Sequence, residues 1–371
     1  RGAASARGFG LFGAAAAPTS GGLWSWGEGA GGALGLGNIT TYNSPKQVGA
    51  LTDWKVVKAG NLQRSIAIKA DGTLWGWGLG QFGAIGLGNT ISYSSPKQVG
   101  ALTNWAVVAL MGRSSLAVKT DGTLWAWGRS DVGQLGLGNL TSYSSPVQVG
   151  ALTAWATVTI GSYSTFAIKT NGTLWAWGIN TNGALGLGNT TSYSSPVQVG
   201  ALTNWATVST FNNSTFATKT DGTMWSWGVN DQGQLGLGNI TYYSSPKQIG
   251  ALTGWSVVSS NSRGASALKT NGTLWSWGSG SYGQLGLGNT TTYSSPVQVG
   301  ALTNWSILSC GSASEFAIKT DGTLWTWGRN QFGQLGLSNA INYSSPKQVG
   351  ALTTWVGVSS GGTNTRGLKT P

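Results

Sequence analysis

Histidine is missing altogether from these 371 residues, and cysteine occurs once, as Cys310. Acids are scarce too, with nine Asp and Glu against 21 Lys and Arg. Protein metal centres draw on imidazole, thiolate and carboxylate ligands gathered at one point, so no metal site is expected here. Serine is plentiful, but no histidine base is present to activate it for covalent catalysis. A single cysteine forms no internal disulfide, and a buried thiol is the expected state of Cys310. No apolar run approaches the ~20 residues of a membrane-spanning helix. Charged residues make up 8% of the chain, against roughly 25% in ordinary soluble domains. These absences together predict a protein without cofactor and without enzymatic activity.

The basic excess gives a net charge of +12. Lys and Arg are scattered singly, whereas nucleic-acid binding usually needs a localised basic patch, so nucleic acid is not the expected partner. The carboxylates also argue against glycoside hydrolysis, which needs a facing pair. Asp71, Asp121, Asp221 and Asp321 occupy equivalent turns in which Asn171 and Asn271 replace them. Exchange with a neutral residue points to turn geometry. Asp131 and Asp231 lie two repeats apart.

What the chain has in quantity is glycine, 61 residues, and tryptophan, 21. With 11% aromatic and 40% hydrophobic residues it carries material for a packed core, unlike disordered Gly-rich chains. The tryptophans reveal the organisation. Trp-x-Trp-Gly recurs seven times, from Trp24/Trp26 to Trp325/Trp327, and Ala-Leu-Thr-x-Trp seven times, from Trp54 to Trp355. The spacing is 50 residues, with one extra residue between Trp54 and Trp75. Seven prolines, Pro45 to Pro346, keep the same register.

Within one unit, strands are predicted over Trp155–Ile160, Thr165–Thr170, Thr173–Trp177 and Val197–Gly200. Asn171-Gly172 between the second and third predicts a tight type I′ hairpin. Period-two alternation puts Leu174 and Ala176 on one face of the third strand, with Trp175 and Trp177 on the other. Four-stranded units at this period, repeated seven times, are the pattern of propeller blades. The chain starts at a third strand, Leu23–Gly27, and ends after a second, Arg366–Thr370. The prediction is therefore an all-β fold: one closed seven-bladed β-propeller of four-stranded antiparallel blades, its closing blade shared by the N- and C-terminal strands. Closure of this kind removes the exposed sheet edges that promote aggregation. The predicted propeller spans residues 23–371, after a Gly/Ala-rich extended arm over residues 1–22.

The segment FAIKTNGTLWAWGINTNGALGLGN, residues 166–189, resembles the regulator of chromosome condensation repeat family. The likeness runs over residues 23–370 and implies a seven-bladed propeller used for protein binding. Members of the nucleotide-exchange and chromatin-binding type usually carry a Gly-x-x-His segment in each repeat, which a chain without histidine lacks. The resemblance therefore implies the fold more directly than that activity.

Two windows differ among the repeats while the rest is nearly copied. One follows Trp-x-Trp-Gly and the other joins the first and second strands; in an antiparallel meander both emerge on the same face of the disc. Binding residues are expected on such loops. The candidates for ligand binding are Phe82, Arg113, Arg129, Tyr163, Phe211, Arg263, Tyr282, Arg329 and Phe332. Aromatic and Arg side chains of this kind suit a protein or a surface glycan. On the opposite face the Lys of each repeat, Lys69 to Lys369, predicts a ring of solvated cations.

Arg7, Phe9, Leu11 and Phe12 of the arm are candidates for docking a neighbouring structural protein, and the arm resembles leading segments of some bacteriophage proteins. The expected role is a displayed module on a virion or cell surface, extracellular in setting, with a soluble protein-binding regulator or inhibitor as the alternative.

Overall fold

The computed structural model describes residues 20–371. Seven four-stranded antiparallel sheets form seven blades. Six are continuous in sequence, at residues 54–98 (blade 1), 105–148 (blade 2), 155–198 (blade 3), 205–248 (blade 4), 255–298 (blade 5) and 305–348 (blade 6). The closing blade joins Trp355–Ser360 and Asn364–Lys369 to Gly22–Gly27 and Tyr42–Gln47, with Leu23 opposite Leu368 and Trp26 opposite Thr365. Gly21 also bridges to Trp54 of blade 1. The first strand of every blade meets the first strands of both neighbours, so the ring is closed and these strands line its centre.

Blade 3 shows how the sequence sets each strand. Its strands run over Trp155–Ile160, Ser164–Lys169, Leu174–Gly178 and Tyr193–Gln198. The fourth begins earlier than predicted, because Tyr193 pairs with Gly178 and Gln198 with Trp175 around a bulge. Pro196 therefore lies within this outermost strand, where a missing N–H faces outward at no cost to the ladder. Closure does not abolish the outer edges. Each blade keeps one, short and interrupted by its proline.

The hairpin also differs from the predicted type I′ turn. Gly172 N–H donates to Lys169 O at 2.9 Å, and Lys169 N–H to Thr173 O at 3.0 Å, enclosing a three-residue loop. Gly172 has φ +76°, while Asn171 is absent from the left-handed residues. This is the three-residue turn in which one glycine supplies the positive φ. Asn171 contributes through its side chain instead. Its Oδ1 accepts from Thr173 N–H and Oγ1–H, and Thr173 Oγ1 accepts from Trp175 Nε1. Asp121 makes the same bonds to Thr123, so either residue type serves the turn. Those donors hold the Asp71, Asp121, Asp221 and Asp321 carboxyls below their ordinary pKa.

The core lies in the seams between blades. Trp177 of blade 3 is fully buried and packs edge-on to Trp155 at 6.3 Å. Around it gather Leu116, Leu124, Leu135 and Val149 of blade 2. Truncating such an indole costs about 3–5 kcal/mol.

Candidate functional site

The two ends of the strands make two distinct faces. On one, Arg129 N–H donates to Arg113 O, and Ile179 N–H to Tyr163 O, joining the two variable windows of each blade. On the other, Trp155 N–H donates to Gly122 O, tying the hairpin turn of one blade to the crossover entering the next.

On the variable face, the structure brings some candidate residues together. The guanidiniums of Arg113 and Arg129 lie 5.1 and 5.5 Å from the centroid of the Phe82 ring. Arg129 is ion-paired with Asp131 of its own loop. Phe82 is held at φ +60°, a conformation most residues avoid. Arg329 lies 5.3 Å from the centroid of Tyr282, and the two line a shallow depression with Gln331 and Ile341. Tyr163 and Tyr282 are 40% and 43% exposed, and Arg263 is exposed. Phe332 is half-buried, its N–H bonded to Gln334 Oε1.

Phe211 departs from expectation. It ends the innermost strand of blade 4, pairs with Ser214 and is buried, so it does not belong to the exposed loop set. Arg7, Phe9, Leu11 and Phe12 lie outside the described residues.

The lysine ring is also corrected. Each of these ammonium groups lies over two indoles; Lys119 is 3.8 Å from the Trp125 centroid and 4.9 Å from that of Trp105. Lys69, Lys119, Lys219 and Lys319 are buried. They plate the tryptophan pairs and are not freely solvated, because a four-carbon stem covers apolar surface while its charge stacks on π-faces. The more exposed feature of this face is apolar: the Leu of each Ala-Leu-Thr crossover, Leu51 to Leu352, is 45–49% exposed.

Sequence reasoning missed the buried charges. Arg64 occupies a position held by Ser114, Ser164, Ser214 and Ser314 in other blades, yet is 1% exposed. Arg366 stands where other blades have Phe166, Phe216 and Phe316, and its guanidinium donates to Ser65 Oγ, Thr365 O and Ala33 O. Glu315 stands where other blades have Thr165, Thr215 and Thr365. It accepts from Cys310 Sγ–H and Asn261 Nδ2–H, each at 2.9 Å, and burial pushes its pKa up to about 7. The same burial, with the Glu315 charge, pushes the Cys310 thiol well up, so it is a hydrogen-bond donor and a poor nucleophile.

Lys58 projects from an innermost strand where other blades have Ala109, Thr159 or Ser. Ser209, Ser259, Ser309 and Ser359 at that level each accept an N–H from the next blade. Burial lowers the Lys58 pKa to about 8. All four charges depart from the pattern of the other blades, and that comparison within the chain would have found them.

No three acid or thiol side chains gather at one point among the described residues. Nor is any described helix long and apolar enough to cross a membrane. The Asp131 and Asp231 carboxylates are each bonded within their own loops, to Gln134 and Gln234.

Known proteins share this architecture. A stretch of 81 residues is 35% identical to the ultraviolet-B receptor UVR8 of Arabidopsis thaliana, covering 22% of this chain and 18% of that one. A stretch of 89 residues is 34% identical to the human E3 ubiquitin-protein ligase HERC2, covering 24% of this chain and 2% of that one. The matches thus span less than a fifth of those relatives.

Among solved structures, human WBSCR16 superposes with a TM-score of 0.84 at 20% identity, covering 95% of this chain and 99% of that one. Prp20p of Saccharomyces cerevisiae, described with its binding properties to Gsp1p and histones, superposes with a TM-score of 0.84 at 19% identity over 97% of this chain and 94% of that one. Yeast RCC1 (Prp20) bound to Kap60 superposes equally well, at 18% identity over 97% and 91%. At these identities the likeness establishes the fold. The regulator of chromosome condensation (RCC1) repeat itself matches residues 20–61, 71–118, 121–168, 171–217, 221–262, 271–318 and 321–366, one match in each turn of the ring, and the chain belongs to that repeat family.

Proposed function

We propose that this propeller is a non-catalytic binding disc that docks a partner protein on its variable loop face, in the manner of a regulator or inhibitor. The observation that carries this reading is the pair of arginine–aromatic stacks, Arg113 and Arg129 on Phe82 and Arg329 on Tyr282. Stacked Arg and Tyr are over-represented among the side chains that dominate protein interfaces, because they offer large contact area already held in one geometry. The yeast relative's association with Gsp1p, histones and Kap60 supports protein recognition by a disc of this fold. The displayed or virion role draws on the near-identical repeats, the low charge and the arm, and no relative named above favours it.

Affinity capture from cell lysate with the full chain tests the reading when loop variants accompany it. The expected result is a protein retained by the wild type and by Leu202→Ala on the opposite face. Tyr282→Ala/Arg329→Ala and Arg113→Ala should lose it. Retention by every loop variant would sink the proposal, and release by soluble polysaccharide would return surface glycan to first place.

A further inference from the structure

Arg64 begins the second strand of blade 1 and faces blade 2, at the loop-face end of their seam. Its side chain runs beside Gly60 and Leu110: a Cβ placed on Gly60 would lie 3.2 Å from Arg64 Cγ and 3.0 Å from Leu110 Cγ. Gly60 adds no side chain beside Arg64, as Gly161, Gly311 and Gly361 add none in three other blades, whereas Met111, Phe211 and Asn261 fill the position in the rest. Arg64 is buried, and neither its Nε nor its Nη1 has a hydrogen-bond partner among the described residues. Arg113, from blade 2, is close enough for the two like charges to repel, and its Nε is unpartnered as well.

Buried guanidinium N–H groups without acceptors are costly and rare, and each calls for a reason. Arg366, equally buried, shows the usual solution in this molecule, with three acceptors around it. No acid serves Arg64 and Arg113: Asp131 is engaged by Arg129, and residues 1–19 contain neither Asp nor Glu. Two positive charges at the mouth of a seam thus have buried N–H groups with no acceptor among the described residues. The half-buried Arg113 opens the pair to the loop face.

We propose that Arg64 and Arg113 form a binding site for a phosphate dianion in the seam between blades 1 and 2. A phosphate carries nearly two negative charges at neutral pH and presents three acceptor oxygens, matching two guanidiniums in charge and in number of free donors. Arg129 stacks on the same Phe82 ring but is already ion-paired with Asp131, so the site is built from Arg64 and Arg113. This site shares Arg113 with the partner-docking face but turns on Arg64, which that reading does not use, so titration with a small anion tests it separately from partner capture.

Isothermal titration calorimetry of the full chain tests the proposal, with inorganic phosphate, a phosphoserine peptide, its unphosphorylated form and succinate titrated at constant ionic strength. The expected result is saturable one-to-one phosphate binding. Arg64→Ser should weaken it by about tenfold or more, while installing the residue other blades already use and so preserving the fold. Arg113→Ala should do the same, and Arg263→Ala on the same face should leave affinity unchanged. Tighter binding of the phosphopeptide than of phosphate would assign the group to a modified protein, and the reverse to a free anion; both uphold the site. Absence of saturable phosphate binding, undiminished affinity in Arg64→Ser, or equal affinity for succinate would each overturn it.

Discussion

Trp177 of blade 3 donates its indole Nε1–H to Gln134 O of blade 2 at 3.0 Å, so one hydrogen bond crosses the seam at the centre of the buried core. The equivalent bond recurs at all seven seams, from Trp77 to Ala33 O through Trp327 to Gln284 O, and from Trp26 to Gln334 O where the ring closes. The acceptor belongs to the Gly-x-Leu-Gly-Leu-Gly segment of the preceding blade. Two residues on, Gly136 has φ +76°, and a Cβ there would stand 2.6 Å from Trp177 Nε1. The two most regular motifs of the repeat are thus the two halves of one contact.

Gly136→Ala and Gly150→Ala separate conformation from contact. Both glycines have positive φ, but nothing lies within 4 Å of a Cβ on Gly150. Gly150→Ala should cost about 1 kcal/mol, the ordinary penalty of a left-handed alanine. Gly136→Ala should cost about 2–3 kcal/mol more, because the indole has to move from a packed seam. Urea denaturation measures both, and equal losses would refute the role given to the seam contact.

Lys119→Met tests the lysine stacks. Loss of the charge over Trp105 and Trp125 should lower stability by about 0.5–2 kcal/mol. Most of that loss should persist in concentrated salt, since a buried contact is weakly screened. A solvated surface lysine would show no measurable change in the same thermal melts.

Glu315 predicts a pH dependence. Its folded pKa, near 7, lies above the ordinary 4.5, so the folded state holds a proton that the unfolded chain releases. The stabilisation is complete below about pH 4.5 and is lost as pH rises through 7. Between these limits the wild type should lose about 3 kcal/mol. Glu315→Gln should flatten the profile and exceed the wild type in stability at neutral pH. A wild-type profile already flat from pH 4.5 to 7 would remove Glu315 from this role.

Arg64→Ser should stabilise the protein in phosphate-free buffer. Burial lowers the Arg64 pKa to about 9, so the folded state disfavours the charge throughout the pH range below that value, and the penalty is relieved only as pH rises above 9. Removing the buried charge should add about 1–3 kcal/mol at neutral pH after allowance for lost packing. Saturating phosphate should close the gap by stabilising only the wild type. Calorimetric melts with and without phosphate measure both effects.

The ring was legible from the order of residues alone. Strand and turn signals recur with a constant period, and a chain that begins at a third strand and ends at a second completes a blade only by pairing its ends. Local chemistry also placed the variable loops on one face, because an antiparallel meander sends alternate connections to the same end. What the long side chains do could be settled only by packing. Lys119 carries the same charge whether solvated or plated on Trp125, and Phe211 looks like any loop aromatic until its strand is seen to run on and bury it. The Asn171 turn kept a right-handed asparagine because Thr173 claims its side chain, a preference the Asn-Gly pair does not reveal. Arg64 and Glu315 stand out in the sequence as departures from the other blades, but their burial was decided only where the neighbouring blade closes over them, since burial is a property of the seam and not of either strand.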